Sequence, residues 1–223
     1  MHNTLSLIAR RPHVGKAKTR LSPPLSAQQA CALYECFLRD ALDLMRCVPE
    51  VSRTLAFLPA EAYGYFSSLA PDMDLVTQRG ATLGERLDSV TRHTLADGAA
   101  KAVVLASDNP SLPAAYLAQA FALLEGADLV LGPTPAGGCY LAGVKKPQPG
   151  LLHPLDRNSL TLIPDTLALA RQAGVTVALL PPWYAIDGPQ DLERLRCELL
   201  ETPAAPAAHT RRWLIQSGAY GNA

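Results

Sequence analysis

A loop near the start of the chain concentrates basic side chains in a short space. Residues 10–20, RRPHVGKAKTR, follow directly on the apolar run LSLIA. Within this loop, Lys18, Thr19 and Arg20 combine hydrogen-bond donors with positive charge, which is the chemistry that binds a diphosphate. The alternative for such a stretch is a basic loop that is only solvated.

The sequence excludes a P-loop at this position. Gly15 and Lys16 match the end of the G-x-x-x-x-G-K-[ST] motif, but Arg10 replaces its first glycine and Ala17 replaces its hydroxyl residue. What remains is a flexible turn around Gly15 that can bring the following donors to a ligand.

A carboxylate follows a later apolar run. Asp108 comes after AVVLAS and lies between Ser107 and an Asn109–Pro110 turn. An aspartate at a strand end is commonly a turn residue or a helix cap. Opposite a basic loop, however, it can also hold a divalent cation, because Mg²⁺ takes one or two carboxylates together with phosphate oxygens.

The residues around these groups alternate between strand and helix patterns. Short apolar runs typical of buried strands occupy 5–9, 54–58, 74–78, 102–107, 128–132 and 175–180. Helix patterns occupy 26–45, which opens with the capping-box pair Ser26 and Gln29, and also 82–98, 113–126 and about 189–200. This alternation predicts an α/β fold with a single doubly wound, mostly parallel sheet, in which ligands bind beyond the carboxyl ends of the strands.

Composition narrows the class of protein. The 223 residues are 48% hydrophobic, and 20 basic residues balance 20 acidic ones. We therefore expect a globular protein that binds no nucleic acid, and any polyanion site has to be local. No apolar run reaches the roughly 20 residues of a membrane span, and Arg10 and Arg11 come too early for a signal peptide, so we expect a cytoplasmic protein. Five scattered cysteines without a C-x-x-C pair argue against a disulfide framework or a structural zinc site.

The composition of the C-terminal residues predicts where the domain ends. One domain is expected over 1–201, and the Ala/Pro-rich segment TPAAPAAHTRR, which starts at residue 202, is typical of a linker. The linker leads into a short tail that ends at residue 223, whose Trp213 and Leu214 either dock back on the domain or contact a partner.

Five segments of the chain, in order, resemble one bacterial protein family: ARRPHVGKAKTRL, QRGATLGERL, SDNPSLP, GPTPAGGCYLAGV and IDGPQDLERL. This is the GT-A-like, glycosyltransferase-like family formerly known as a domain of unknown function, and the resemblance runs from residue 5 to about 197. It implies the fold of nucleotide-diphospho-sugar transferases and a more distant relation to phospholactate guanylyltransferase. The implied activity rests on architecture, because one fold can host many functions.

The family pattern implies roles for the residues at the strand ends. Gly15, Lys18, Thr19 and Arg20 match the residues that are expected to contact the nucleotide phosphates. Asp108 matches a ligand of a Mg²⁺ or Mn²⁺ cofactor.

Two further segments of the pattern add residues to the implied site. In QRGATLGERL, the resemblance makes Gln78, Gly84 and Arg86 nucleotide-binding residues, although Arg86 can instead belong to a surface turn with Glu85. In IDGPQDL, Asp187 matches a late aspartate that approaches the metal from the other side. Asp187 can also be the N-cap of the following helix, and the two roles are compatible.

The fourth segment departs from the family pattern, which is close to D-G-G-Y-Y-L-I-G. Ala136 stands where the pattern has an acidic residue, so the protein either takes a different acceptor or has a partly disabled site. Gly137 and Gly138 still permit close approach of the backbone to a nucleotide. Cys139 is expected to be a buried structural thiol rather than a replacement for the carboxylate.

Three functions are compatible with these residues. The first is metal-dependent transfer of a sugar from a nucleoside diphosphate sugar to a small-molecule acceptor, with Lys18 and Arg20 neutralising the leaving diphosphate and Asp187 assisting the acceptor hydroxyl. The second is nucleotidyl transfer from a nucleoside triphosphate with release of pyrophosphate, as in guanylyltransferases, which needs no general base and so tolerates Ala136. The third is a catalytically degenerate nucleotide-binding module.

Overall fold

The structure, a computed structural model, describes residues 2–152, 161–202 and 206–217. Within these residues the strands are β1 (His2–Arg10), β2 (Val51–Leu58), β3 (Asp74–Thr77), β4 (Ala99–Ala106), β5 (Leu129–Pro133), β6 (Cys139–Val144) and β7 (Val177–Leu179). The α-helices are α1 (Ala27–Arg46), α2 (Tyr63–Leu69), α3 (Leu83–Ala96), α4 (Ala114–Gly126), α5 (Leu162–Gln172), α6 (Pro189–Glu201) and α7 (Ala208–Gln216).

The strands of the described residues form one sheet in the order β3-β2-β1-β4-β6-β5-β7. Neighbouring strands are parallel except at β6, which runs antiparallel to both β4 and β5. The predicted doubly wound, mostly parallel sheet is confirmed. The sequence prediction omits β6, whose run CYLAGV is short and contains a glycine, and it also omits α2, α5 and α7.

The order of the strands places a crevice beside β1. The chain adds β2 and β3 on one side of β1 and then returns to add β4 on the other side. The connections that leave β1 and β4 therefore run in opposite directions, and a topological switch point of this kind is where open α/β sheets bind ligands. The loop after β1 is the basic loop, and the residue pair after β4 is Ser107–Asp108.

Hydrophobic clusters cover both faces of the sheet. Leu5 and Leu7 of β1 pack into the cluster that includes Phe37 of α1, whereas Ile8 packs into the opposite cluster with Leu87 of α3. A strand that is buried on both faces carries apolar side chains toward both, which explains the largely apolar runs in the sequence.

The first helix begins at the predicted capping box. The backbone N–H of Gln29 donates to Oγ of Ser26 at 3.2 Å, and the N–H of Ser26 donates back to Oε1 of Gln29 at 2.8 Å. This reciprocal pair satisfies two N–H groups that a helix end otherwise leaves without partners. It sets the start of α1 shortly after the basic loop.

The segment that was predicted to be a linker becomes helical at Ala208. Its helix, α7, packs on α1, because the Asp40 carboxylate accepts hydrogen bonds from the backbone N–H groups of His209 at 2.8 Å and Thr210 at 2.9 Å. The buried side chain of Leu214 joins the main hydrophobic cluster. The tail thus docks back on the domain, one of the two predicted outcomes.

Parts of the predicted linker and tail, residues 203–205 and 218–223, lie outside the described residues. The division of the chain at residue 201 stays a prediction. Among the helices that the structure does describe, none combines the length and the apolar character that a membrane crossing requires.

Candidate functional site

A cleft of about 670 Å³ lies at the carboxyl ends of β1 and β4. It is lined by most of the basic loop, by Asp108 after β4 and by Asp187 before α6. Its basic lining residues are Arg10, Arg11, His13, Lys16, Lys18, Arg20 and Arg86. The fold thus brings the basic loop and both aspartates together, as expected for groups at the same edge of a parallel sheet.

Lys18 and Asp108 form a buried ion pair in this cleft. Nζ of Lys18 lies 2.8 Å from Oδ1 of Asp108, and each side chain is only 8% exposed. Nζ also donates a hydrogen bond of 2.7 Å to the carbonyl oxygen of Ile186. Loss of one partner of a buried pair takes a compensating charge away from the other, so each residue helps to hold the other's charge in the ligand-free protein.

The backbone of the basic loop turns sharply before Lys18. The N–H groups of Lys16 and Ala17 both donate to the carbonyl oxygen of His13 at 3.0 Å, and Gly15 supplies the positive φ of 76° in this turn. Lys18 itself has a φ of 48°. This left-handed conformation costs an L-residue about 1–2 kcal/mol, and it occurs at the residue whose side chain pairs with Asp108.

The other residues predicted for phosphate binding divide between the cleft and its surroundings. Thr19 and Arg20 line the cleft from a single 3₁₀ turn, Thr19–Leu21, whereas Gly15 shapes the loop without lining the cleft. The sequence reasoning did not select the remaining basic lining residues. The basic run itself could have indicated these residues. Arg10 and Arg11 directly follow the buried part of β1, and the end of a strand is where a ligand-binding loop begins.

Two hydrogen bonds join the loop after β4 to the segment before α6. The backbone N–H of Ile186 donates to the carbonyl oxygen of Asp108 at 2.9 Å. The side-chain amide of Asn109 donates to the carbonyl oxygen of Tyr184 at 2.7 Å. These contacts fix the backbone that carries Asp187 directly beside the backbone that carries Asp108.

The prediction that Asp187 is the N-cap of α6 is wrong. Gly188 occupies the N-cap position, and the carboxylate that accepts from the backbone N–H groups of Asp187 and Gly188 belongs to Asp191, at 3.1 and 2.8 Å. Within the described residues the half-buried Asp187 side chain makes no hydrogen bond or ion pair. Its carboxylate is therefore available to a ligand in the cleft.

Gln78 connects the ends of two strands. Its side-chain amide donates to the carbonyl oxygen of Ala9 at 2.9 Å and to that of Ala56 at 2.8 Å. These contacts use both amide N–H groups of a buried residue, so they tie β1 to β2 at the edge of the cleft. Gln78 lines the cleft as well, and its predicted contact with a nucleotide stays a prediction.

The LGER segment forms the first turn of α3 rather than a surface turn. Glu85 completes a capping box with Thr82, which satisfies the N–H groups at the start of this helix. Arg86 lines the cleft and donates a hydrogen bond of 3.3 Å to the carbonyl oxygen of Ala81. Gly84 is buried in the same turn and does not line the cleft.

The glycine pair of the fourth segment lies in a tight turn between β5 and β6. Gly138 donates its N–H to Oγ1 of Thr134 at 2.8 Å, and a Cβ at Gly138 would lie 2.9 Å from the same oxygen. Gly138 also lines a smaller cavity of about 50 Å³, which shares Asp108 and Asp187 with the main cleft. Gly137, with a φ of 88°, lines neither of these two cavities.

The residues on either side of these glycines offer no replacement for the absent carboxylate. Ala136 is exposed. Burial raises the pKa of the Cys139 thiol to about 11, and this thiol donates to the carbonyl oxygen of Leu141 at 2.8 Å. The thiol of Cys139 is therefore protonated near neutral pH and is not an activated nucleophile.

The donors of the cleft fit a divalent cation only together with ligand oxygens. In the part of the chain that the structure describes, no group of three or more His, Cys, Asp and Glu side chains is able to hold a metal ion. Asp108 and Asp187 provide two carboxylates, and Mg²⁺ is commonly bound by one or two carboxylates, phosphate oxygens and water. A nucleotide would have to complete the coordination.

A model of the family described as "Uncharacterized protein conserved in bacteria (DUF2064)" matches residues 41–158. The chain belongs to the DUF2064 family. The matched range of DUF2064 includes Gln78, Arg86 and Asp108, whereas the basic loop and Asp187 lie outside it. A search of curated proteins gave no significant match.

Solved structures confirm the fold of this DUF2064 chain. A candidate nucleotide-diphospho-sugar transferase from Desulfovibrio desulfuricans G20 aligns with a TM-score of 0.86 and 25% identity over 96% of this chain and 97% of that chain. CMP:2-keto-3-deoxy-manno-octonic acid synthetase, solved with CTP, aligns with a TM-score of 0.56 and 10% identity over 90% and 99%. Rv0371c from Mycobacterium tuberculosis H37Rv, solved with manganese, aligns with a TM-score of 0.54 and 16% identity over 87% and 98%.

Proposed function

We propose that this DUF2064 chain is a transferase that binds a nucleoside diphosphate sugar in the cleft and transfers the sugar to a small-molecule acceptor. The observation that carries this proposal is the charge of the cleft, in which six arginine and lysine side chains face two carboxylates, Asp108 and Asp187. An excess of positive charge at a topological switch point suits a diphosphate. The volume of about 670 Å³ suits a nucleotide-sized ligand.

Four cleft residues have roles in the proposed reaction. Lys18, Thr19 and Arg20 donate to the diphosphate, and the charge of Lys18 and Arg20 stabilises it as it leaves the sugar. The bond between the sugar and the diphosphate oxygen breaks as the acceptor oxygen bonds to the same sugar carbon. Asp187 assists the acceptor hydroxyl by accepting its proton.

A divalent cation is part of this proposal. Asp108 and Asp187 would hold Mg²⁺ or Mn²⁺ together with phosphate oxygens, and the bound cation would add positive charge at the leaving diphosphate. Support comes from Rv0371c, which was solved with manganese. The assignment to sugar transfer is supported by the description of the Desulfovibrio protein as a candidate nucleotide-diphospho-sugar transferase.

Nucleotidyl transfer is the second candidate, and Ala136, at the position of the acidic residue of the family pattern, favours it. In this reaction an oxygen of an acceptor phosphate bonds to the α-phosphorus of a nucleoside triphosphate, the bond from that phosphorus to the bridging oxygen breaks, and pyrophosphate leaves. The nucleophile is already anionic, so no carboxylate is needed as a base. The synthetase solved with CTP supports this alternative at the level of the shared fold.

Calorimetric titrations with nucleoside diphosphates, nucleoside triphosphates and their sugar conjugates, each with and without Mn²⁺, test the proposal. The bound compounds are then incubated with the protein and a panel of small molecules that carry hydroxyl or phosphate groups as acceptors, and the products are separated. Release of nucleoside diphosphate from a sugar nucleotide supports sugar transfer, and release of pyrophosphate supports nucleotidyl transfer. Binding without turnover indicates a degenerate module, and the absence of all binding contradicts the proposed function.

A further inference from the structure

The ammonium group of Lys18 is held as a bound cation would be. It contacts the carboxylate of Asp108 at 2.8 Å and the carbonyl oxygen of Ile186 at 2.7 Å. The ring centroids of Tyr34 and Phe37 lie 6.0 and 5.9 Å from Nζ. Two oxygen ligands and two aromatic faces therefore surround a single positive charge, and its side chain is only 8% exposed.

This arrangement distinguishes Lys18 from the other lysine of the cleft. Lys16 also lines the cleft, but it is exposed. The Lys18 ammonium instead lies against one predicted metal ligand, Asp108, and against the residue that precedes the other, Asp187. In the ligand-free protein, Oδ1 of Asp108 is thus already paired with a protein charge.

We propose that Lys18 is a displaceable counterion of Asp108. Its ammonium group keeps a divalent cation from the Asp108 carboxylate until the diphosphate of a nucleotide enters the cleft. Lys18 then transfers its hydrogen bonds from Asp108 to the phosphate oxygens and leaves the Asp108 carboxylate to the cation. This inference rests on the proposed function, because it needs the phosphates as the second partner of Lys18. It deepens that function by making metal binding conditional on the nucleotide.

The chemistry of lysine suits such an exchange. Its ammonium is a compact charge with three donors on a flexible four-carbon stem, so a rotation of the stem can redirect the charge within the cleft. A diphosphate brings negative charge that compensates both the lysine and a divalent cation, whereas Asp108 alone cannot compensate both. Without the diphosphate, the cation and the ammonium would repel each other at the same carboxylate.

Titration with Mn²⁺, followed by the electron paramagnetic resonance signal of the free ion, tests the exclusion. The wild type is compared with Lys18→Met, which keeps most of the length of the side chain without its charge, and with the control Lys146→Met, at an exposed lysine that does not line the cleft. Without nucleotide, Lys18→Met should bind Mn²⁺ at least about tenfold more tightly than the wild type, a change of ~1.4 kcal/mol. Lys146→Met should match the wild type, and adding Asp108→Asn to Lys18→Met should remove the gain.

Equal Mn²⁺ affinity of Lys18→Met and the wild type overturns the exclusion. If Lys18→Met does not fold, the ¹⁵N signal of the Lys18 amine in the wild type decides. It should move when a nucleoside diphosphate and Mg²⁺ are added together and stay in place with Mg²⁺ alone; a signal that Mg²⁺ alone displaces, or that the pair leaves in place, overturns the exchange. A wild type that binds no nucleotide contradicts the proposed function, and the Mn²⁺ comparison still reports separately on the exclusion.

Discussion

The carboxylate of Asp191 accepts a hydrogen bond of 3.1 Å from the backbone N–H of Asp187. It also accepts one of 2.8 Å from the next N–H, that of Gly188, and so caps α6 from within the first turn. One aspartate therefore performs the structural task at the start of this helix, and the other presents its carboxylate to the cleft. A defect in the cap should reach the cleft through the backbone of Asp187.

We expect Asp191→Ala to lower the free energy of unfolding by about 1 kcal/mol, because two N–H groups at the start of α6 lose their acceptor. It should also weaken the joint binding of a nucleoside diphosphate and Mn²⁺, since Asp187 is no longer held in place. Urea denaturation and calorimetry measure the two effects. Glu193→Ala, whose side chain is 46% exposed on the same helix, is the control and should leave the binding unchanged.

Replacement of the cleft carboxylates should separate metal from nucleotide binding. A nucleoside diphosphate with Mn²⁺ should raise the melting temperature of the wild type more than the sum of the separate effects. At about 100 times the dissociation constant the gain is about 2.7 kcal/mol, or about 5–10 °C for a chain of this size. Asp108→Asn and Asp187→Asn should each abolish the synergy, and exposed Asp97→Asn should keep it. Synergy that survives in both cleft variants would exclude these carboxylates as ligands.

Arg20→Ala should reduce the affinity for a nucleoside diphosphate far more than that for the free nucleoside. A hydrogen bond to a charged group contributes about 1.5–3 kcal/mol, which corresponds to roughly a 10- to 100-fold loss. Calorimetric titration of both ligands measures the ratio. Arg92→Ala, whose side chain is 63% exposed on α3, should change neither affinity. An equal loss for both ligands would mean that Arg20 does not contact phosphate.

Asp40→Asn should loosen α7. The NH₂ group of the new amide is a donor, whereas the carboxylate oxygen that it replaces accepts a hydrogen bond from a backbone N–H group of α7. We expect a loss of about 1–3 kcal/mol in the free energy of unfolding, measured with urea at pH 7. Glu35→Gln, which removes the exposed ion pair between Glu35 and Arg39 within α1, is the control, with an expected change of at most about 1 kcal/mol.

The effect of Asp40→Asn should also depend on pH. Burial raises the pKa of Asp40 above its ordinary value of 3.8, against the lowering effect of hydrogen bonds from Thr210 and His209. A carboxyl group with a raised pKa in the folded state stabilises the fold fully below its unfolded pKa and loses that contribution as pH rises through its folded pKa. The destabilisation by Asp40→Asn should therefore be larger at pH 4 than at pH 7, and a difference that grows with pH would contradict this.

Gly132→Ala should destabilise the sheet. A Cβ at Gly132 would overlap the ring of Tyr140, which is fully buried and held by a hydrogen bond of 2.9 Å from its hydroxyl to the carbonyl oxygen of Pro181. We expect a loss of about 1–3 kcal/mol in urea denaturation. Gly64→Ala, in α2 with no atom within 4 Å of the new Cβ, should instead increase stability by about 0.4–1 kcal/mol. Similar results for the two variants would contradict the predicted overlap.

Much of the fold follows from the sequence alone. The apolar runs of β1, β2 and β4, and the Ser26–Gln29 capping box, are local patterns, because strand burial and helix capping depend on residues that are neighbours along the chain. The strand ends also predicted that the basic loop and Asp108 share one edge of the sheet. Family resemblance added Asp187, which lies in the cleft but is not the cap of α6.

The tertiary structure alone decided which groups compensate each other. Lys18 and Asp108 were predicted separately, one for phosphate and one for metal, yet they neutralise each other because β4 returns to lie beside β1. The helix α7 begins inside a segment with the composition of a linker, because Asp40 of α1 caps it from a distance. In both cases the deciding contact joins residues that are far apart in the chain. Local periodicity reports only on neighbouring residues, so it cannot show which distant polar groups become partners when they are buried.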